Sequence, residues 1–229
     1  MVYTLRSFLC AGLLLLPLAV AAPAAHAATP EAQLLDELNF ARTHPQDYAR
    51  RLELEPVSPW ERALAEPTDR AALAEAIAFL RRQAPLPALG PDEGLAEAAR
   101  EHVTSQGPRG RTGHDGPDGE PFDARLRRHG VDAPAEGENI AYGPTRPADV
   151  VRELIIDSGV ASRGHRRNIF TAGFEAAGVT CGPHRDYGTM CVIDFVGGPR
   201  AGSPPATTQT AALAASPGEG DGRPGFGAN

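Results

Sequence analysis

Seven histidines and 29 carboxylates supply most of the groups in this 229-residue chain that could hold a metal ion or move a proton near neutral pH. His114 stands in Gly110-Arg111-Thr112-Gly113-His114-Asp115-Gly116-Pro117-Asp118-Gly119, a stretch with too many helix and strand breakers to be other than a loop. Read singly, it is a loop imidazole open to solvent or to a ligand. Glu138, between Gly137 and Asn139, suits a turn or an ion pair as well as a site, and His165, ahead of Arg166-Arg167, suits a charged surface turn equally. The chain has no His-Glu-x-x-His pair of the zincin type, and no recognisable nucleophile or oxyanion motif. Asp115, Asp118 and Glu120 do not have the spacing of a calcium loop. His102 falls on an apolar helical stretch and is expected to pack there with a hydrogen bond; His129 and His184 have no motif company.

The chain opens with Arg6 ahead of an apolar run from Ser7 to Val20, too short to span a bilayer comfortably. Ala25-His26-Ala27 supplies small residues at −3 and −1, so residues 1–27 read as a signal peptide cleaved before Ala28. The mature chain is then expected outside the cytoplasm, secreted or periplasmic. No later stretch has the length and apolarity of a transmembrane segment. The formal net charge is −7 with no lysine at all, a balance that disfavours nucleic acid. Cys10 would leave with the signal, and the remaining pair, Cys181 and Cys191, reads as one disulfide in an exported chain.

The elements that must position these groups follow from periodicity and punctuation. Thr29-Pro30-Glu31 opens a helix with an apolar stripe at Leu34, Leu35, Leu38 and Ala41, and His44-Pro45 interrupts it. A short helix with Tyr48 and Leu52 follows. Another starts at Thr68-Asp69, with Leu73, Ala76, Ile77 and Leu80 at helical spacing, inside what reads as an insertion over 55–85 that Trp60 anchors. Further helices are expected over Asp92 to Gln106 and Pro147 to Asp157, a short strand over Asn139 to Tyr142, and a hairpin of Phe174 to Cys181 with Met190 to Val196. Helices early and antiparallel strands late argue for an α+β layered sandwich rather than a doubly wound sheet. The Gly- and Pro-rich segment 199–229 lacks the apolar content to offset ordering and reads as a disordered tail, which leaves 28–198 as one domain.

Three segments together resemble the CAP superfamily, the cysteine-rich secretory, antigen 5 and pathogenesis-related group: Gly113-His114, Gly137-Glu138-Asn139-Ile140-Ala141, and Gly164-His165-Arg166-Arg167-Asn168-Ile169-Phe170. Gly178-Val179 in the hairpin and Leu86-Pro87-Ala88-Leu89 ahead of the Asp92 helix fit the same pattern. The resemblance covers about 31–198, leaving the 55–85 segment and the tail outside. It implies a three-layer α-β-α sandwich around a small central antiparallel sheet, and a cleft of two histidines and two glutamates. By position these are His114, Glu138, Glu153 and His165. Glu153 reads equally well as an ordinary exposed helix residue.

Two neutral imidazoles, His114 and His165, suit a borderline divalent ion such as Zn2+ and leave positions open for water or substrate, although two ligands alone bind weakly. The glutamates, Glu138 and Glu153, could orient the imidazoles by accepting their second N–H, or one could act as general base toward a metal-bound water. Residue types do not choose between these roles. The resemblance implies a secreted monomer that binds a small amphipathic molecule or lipid in its cleft. The alternative is a metal-assisted hydrolase, of protease or esterase type, using the same residues.

Overall fold

The computed structural model describes residues 28–55 and 70–198; the expected signal peptide, Trp60, the Thr68-Asp69 helix start and the 199–229 tail lie outside the described residues. Helix α1 (Pro30–Thr43) opens as its sequence dictates, with the Thr29 side chain accepting from the Ala32 N–H at 3.2 Å and proline in the first turn. It stops at His44, and α2 (Pro45–Leu54) restarts on the next proline. Helix α3 (Arg70–Arg82) buries Leu73, Ala76 and Leu80, as their spacing requires. Asp92 caps α4 (Glu93–Gln106) through a 2.9 Å bond from the Leu95 N–H. Three further α-helices follow among the described residues: α5 (Phe122–Arg128), α6 (Pro147–Ile156) and α7 (Gly164–Ile169).

Strands β1 (Gly90–Pro91), β2 (Ala135–Tyr142), β3 (Ala176–His184) and β4 (Gly188–Gly197) form a single sheet in the order β1-β3-β4-β2. The β3–β4 hairpin and the β2–β4 pairing are antiparallel, whereas β1 lies parallel to β3. The sheet is therefore mixed, which corrects the purely antiparallel expectation at one edge. The cause is local: Asn39 grips Leu89 through two bonds, 3.0 Å to its carbonyl and 2.7 Å from its N–H, and so lays the following residues along β3.

Alternation along β4 sorts the core into two layers. Cys191, Ile193 and Phe195 face α1, α2, α3 and α6, where Leu34, Leu38, Leu52, Leu80, Leu154 and Ile155 meet them. Met190, Val192 and Val196 face α4 and α5, against Leu95, Ala98, Ala99, Val103 and Leu126. Helices on both faces of one sheet make the α-β-α sandwich. Gly178 permits the close seat of α4, since a Cβ there would stand 2.2 Å from the Ala96 nitrogen. Cys181 and Cys191 are register partners and are disulfide-bonded, with Cα atoms 4.1 Å apart.

Candidate functional site

Along edge strand β2, Glu138, Ile140 and Tyr142 point toward α4, while Asn139 and Ala141 point to the opposite face. Glu138 is buried, and both of its carboxylate oxygens are engaged. Oε1 accepts from His114 Nδ1 at 2.7 Å, and Oε2 pairs with the guanidinium of Arg125 on α5, itself buried. The His114 ring is about half exposed, at 53%, and its Nε2 makes no hydrogen bond to the described residues. The hydrogen bond that His114 donates to Glu138 outweighs desolvation and raises the pKa of the imidazole above its ordinary value.

Asp194 stands opposite Glu138 in the β2–β4 register, also facing α4, and is fully buried. Its nearer oxygen is 3.9 Å from Arg125 Nη2, and neither oxygen accepts a hydrogen bond. Burial, and then the charge of Glu138, push the Asp194 carboxyl well above the usual carboxylate range. Two carboxyl groups thus share one guanidinium, and burial favours the neutral form of Asp194.

His165 opens α7 and is held in the same manner. Its Nδ1 lies 2.7 Å from Asp157 Oδ1, while its backbone N–H donates to Oδ2 of the same residue at 2.9 Å. Asp157 ends α6 at φ 56°, a left-handed conformation that a short carboxylate side chain tolerates. Glu75 on α3 fixes this corner from outside, accepting from Arg163 and Arg166 at 2.9 Å each, while Arg163 donates to the Asp157 carbonyl at 2.7 Å. The 55–85 segment therefore supplies a residue that anchors the His165 loop. Glu153 lies on the exposed side of α6, and the carboxylate that holds His165 is Asp157.

The structure joins His114 and Glu138 directly. It brings His165 to the same strand from the other side, where Asn139 donates to the His165 carbonyl at 3.0 Å and Asn168 donates to the Glu138 carbonyl at 3.0 Å. Among the described residues, no group of three or more His, Cys, Asp or Glu side chains is arranged to hold a metal ion. Sequence reasoning missed Arg125, Asp157 and Asp194. Asp194 had a signal, as the lone charge inside the apolar run Met190 to Val196. Arg125, one of three arginines on a seven-residue helix, had none.

A separate groove of about 550 Å³ opens where β3 meets the start of α1 and the flank of α4. Ala96, Val103, Val179 and Pro183 give it apolar walls, and Glu31 and Arg100 stand at its margin. None of the cleft residues lines it.

Helices on both faces of a small sheet, with the His114 loop and the His165 helix bonded to the edge strand that carries Glu138, make up a CAP-type domain. Residues 74–195, more than half of the chain, match the model of the cysteine-rich secretory protein family, CAP, and the chain belongs to that family. The match begins inside α3, so part of the 55–85 segment lies within the family region. The chain is 31% identical over 107 residues to the YkwD protein of Bacillus subtilis (strain 168), a match that covers 46% of this chain and 38% of the relative. It is similar in structure to an extracellular SCP-domain protein of Bacillus anthracis str. Ames, with a TM-score of 0.43, 24% identity, and coverage of 57% of this chain and 40% of that one. An outer surface protein of Borrelia burgdorferi follows, with a TM-score of 0.40, 19% identity, and coverage of 48% and 77%. The chain thus spans about two fifths of the length of the two Bacillus proteins. No helix among the described residues is long and apolar enough to cross a membrane.

Proposed function

We propose that this chain is an exported CAP-domain binding protein, with a groove for a small amphipathic molecule and an imidazole pair that takes a divalent ion. The observation that carries binding over turnover is the double engagement of Glu138, one oxygen on His114 and the other on Arg125. A buried carboxylate paired with a guanidinium and an imidazole is placed to orient that imidazole, a role that fits it better than taking a proton from a metal-bound water. The groove beside α4 has the apolar walls and charged margin that an amphipathic ligand needs.

His114 and His165 fit a divalent ion in one respect, because each is held by a carboxylate at Nδ1 while its Nε2 makes no hydrogen bond to the described residues. Two imidazoles fall short of the three protein ligands of a catalytic zinc and the four of a structural one. The pair therefore suits a weakly held, exchangeable ion; bound there, it would supply Lewis acidity. Export rests on the signal-peptide pattern at Ala25-His26-Ala27.

The test separates the two berths. The mature chain is titrated with a fluorescent fatty acid and, separately, with Zn2+. Thr104→Trp, at an exposed position on the groove wall, should abolish fatty-acid binding, while His114→Ala with His165→Ala should leave it intact and remove zinc binding. If the single histidine variants each keep zinc binding undiminished, the paired-imidazole reading fails. If Thr104→Trp binds the fatty acid as wild type does, the groove reading fails.

A further inference from the structure

Three consecutive carbonyls of the exposed loop around His114 are each gripped by a different side chain from beneath. His102 Nε2 lies 2.9 Å from the Gly113 carbonyl, Arg125 Nη1 lies 3.2 Å from the His114 carbonyl, and Gln106 Nε2 lies 2.7 Å from the Asp115 carbonyl. All three are buried, with 0%, 1% and 3% exposure. His102 and Gln106 are four residues apart on α4 and so share one face of it. The Gly113 N–H donates to the Tyr142 hydroxyl at 3.0 Å, and His184 Nε2 lies 2.9 Å from the Arg111 carbonyl.

The chemistry of the donors fixes the protonation of His102. Arg125 Nη1 lies 2.7 Å from His102 Nδ1, and a guanidinium has no lone pair, so Nδ1 must accept. Nε2 faces a carbonyl and must donate. His102 is therefore neutral and carries its proton on Nε2. Burial acts in the same direction, lowering its pKa. Arg125 then makes three contacts that converge on one residue: the His114 carbonyl, the Glu138 carboxylate that holds the His114 ring, and the His102 nitrogen that sets the Gly113 clamp.

From this convergence we infer that His102, Gln106 and Arg125 are positioning residues that hold the His114 loop in one conformation before any ligand arrives. The loop, with positive-φ glycines at 110 and 113, is closed at its ends by Arg111 N–H to the Gln106 carbonyl and Gly116 N–H to the Glu120 carbonyl, while Thr112 to Asp115 make no backbone–backbone hydrogen bond among the described residues. The buried side chains supply the bonding there, so the ordering cost is met on folding rather than on binding. This deepens the reading of His114 as a recognition group, although the grip itself does not depend on what His114 binds.

The test is the tautomeric state of the ring nitrogens, read by long-range 15N–1H correlation on the mature wild-type chain at a pH where histidine is neutral. The expected result is His102 with its proton on Nε2 and His114 as a single tautomer with its proton on Nδ1, toward Glu138. A charged His102, or one protonated on Nδ1, overturns the proposal without any variant, because Arg125 could not then donate to it. Gln106→Leu and His102→Phe should each turn the single His114 pattern into a tautomer mixture while leaving His165 unchanged. Zinc affinity by calorimetry should fall roughly 10- to 100-fold in both. A His114 pattern unaltered in both folded variants sinks the positioning role. Failure of the wild type to bind zinc sinks the proposed ion site alone, since the tautomer result stands independently of it.

Discussion

Asp194 and Glu138 face one another across two strands with one guanidinium between them, and their pH behaviour follows from that shortage of positive charge. A carboxyl whose pKa is raised in the folded state lends its full stability below the unfolded value, about 3.9, and loses it as pH rises through the folded value. Asp194→Asn keeps the shape and cannot ionise. Urea midpoints measured at pH 5 and pH 8 should therefore shift in favour of the variant as pH rises. A gap between variant and wild type that stays constant over this range would mean that Asp194 does not carry the proton. His114 follows the same sign, since its pKa is also raised, so its contribution with Glu138 is fully present below about 6.5 and lost above the elevated value. Glu138→Gln leaves Arg125 buried without its carboxylate and should cost about 3–5 kcal/mol. The His114 titration followed by NMR should move down in the same variant.

The disulfide at register pair Cys181–Cys191 closes a short loop within the longest pairing in the sheet, three register pairs from the hairpin turn. Replacing both cysteines with serine should lower stability by roughly 2–3 kcal/mol, the chain-entropy value for so short a loop. A thermal midpoint unchanged by reduction would contradict it. Helices α1, α3, α4 and α6 were legible because their apolar residues recur at helical spacing, and the hairpin because its two apolar runs flank a turn. Strand β2 was legible only over Asn139 to Tyr142; over Ala135 to Glu138 glycine and two glutamates interrupt the apolar alternation. Those polar residues belong to the strand since Glu138 has Arg125 to meet it. Of the site, His114, Glu138 and His165 were readable from short motifs. Asp157 and Arg125 were not, because each acts through partners distant in sequence or folded around a corner.

Arg42 ties the first helix to the rest of the molecule. It is fully buried and donates to the carbonyls of Pro87, Ile169, Thr171 and Phe174, four points on two separate segments. Helices α1 and α2 precede residue 74, where the family match begins, yet Leu34, Leu38, Tyr48 and Leu52 fill the core layer behind the sheet. A fragment limited to residues 74–195 should therefore lack a fixed core. Near-UV circular dichroism should show no tertiary signal in the fragment, against a structured mature chain, and a cooperative unfolding transition in the fragment would refute the claim.

The loop of His114 is gripped by its main chain, and that has a practical corollary. Arg111, Thr112 and Asp115 point outward, while the carbonyls beneath them at 111 and 115 take part in the anchoring. Their side chains are thus open to exchange without loosening the scaffold. A library randomised at these three places around an unchanged imidazole would sample new specificities on a preset backbone, in the manner of a hypervariable loop.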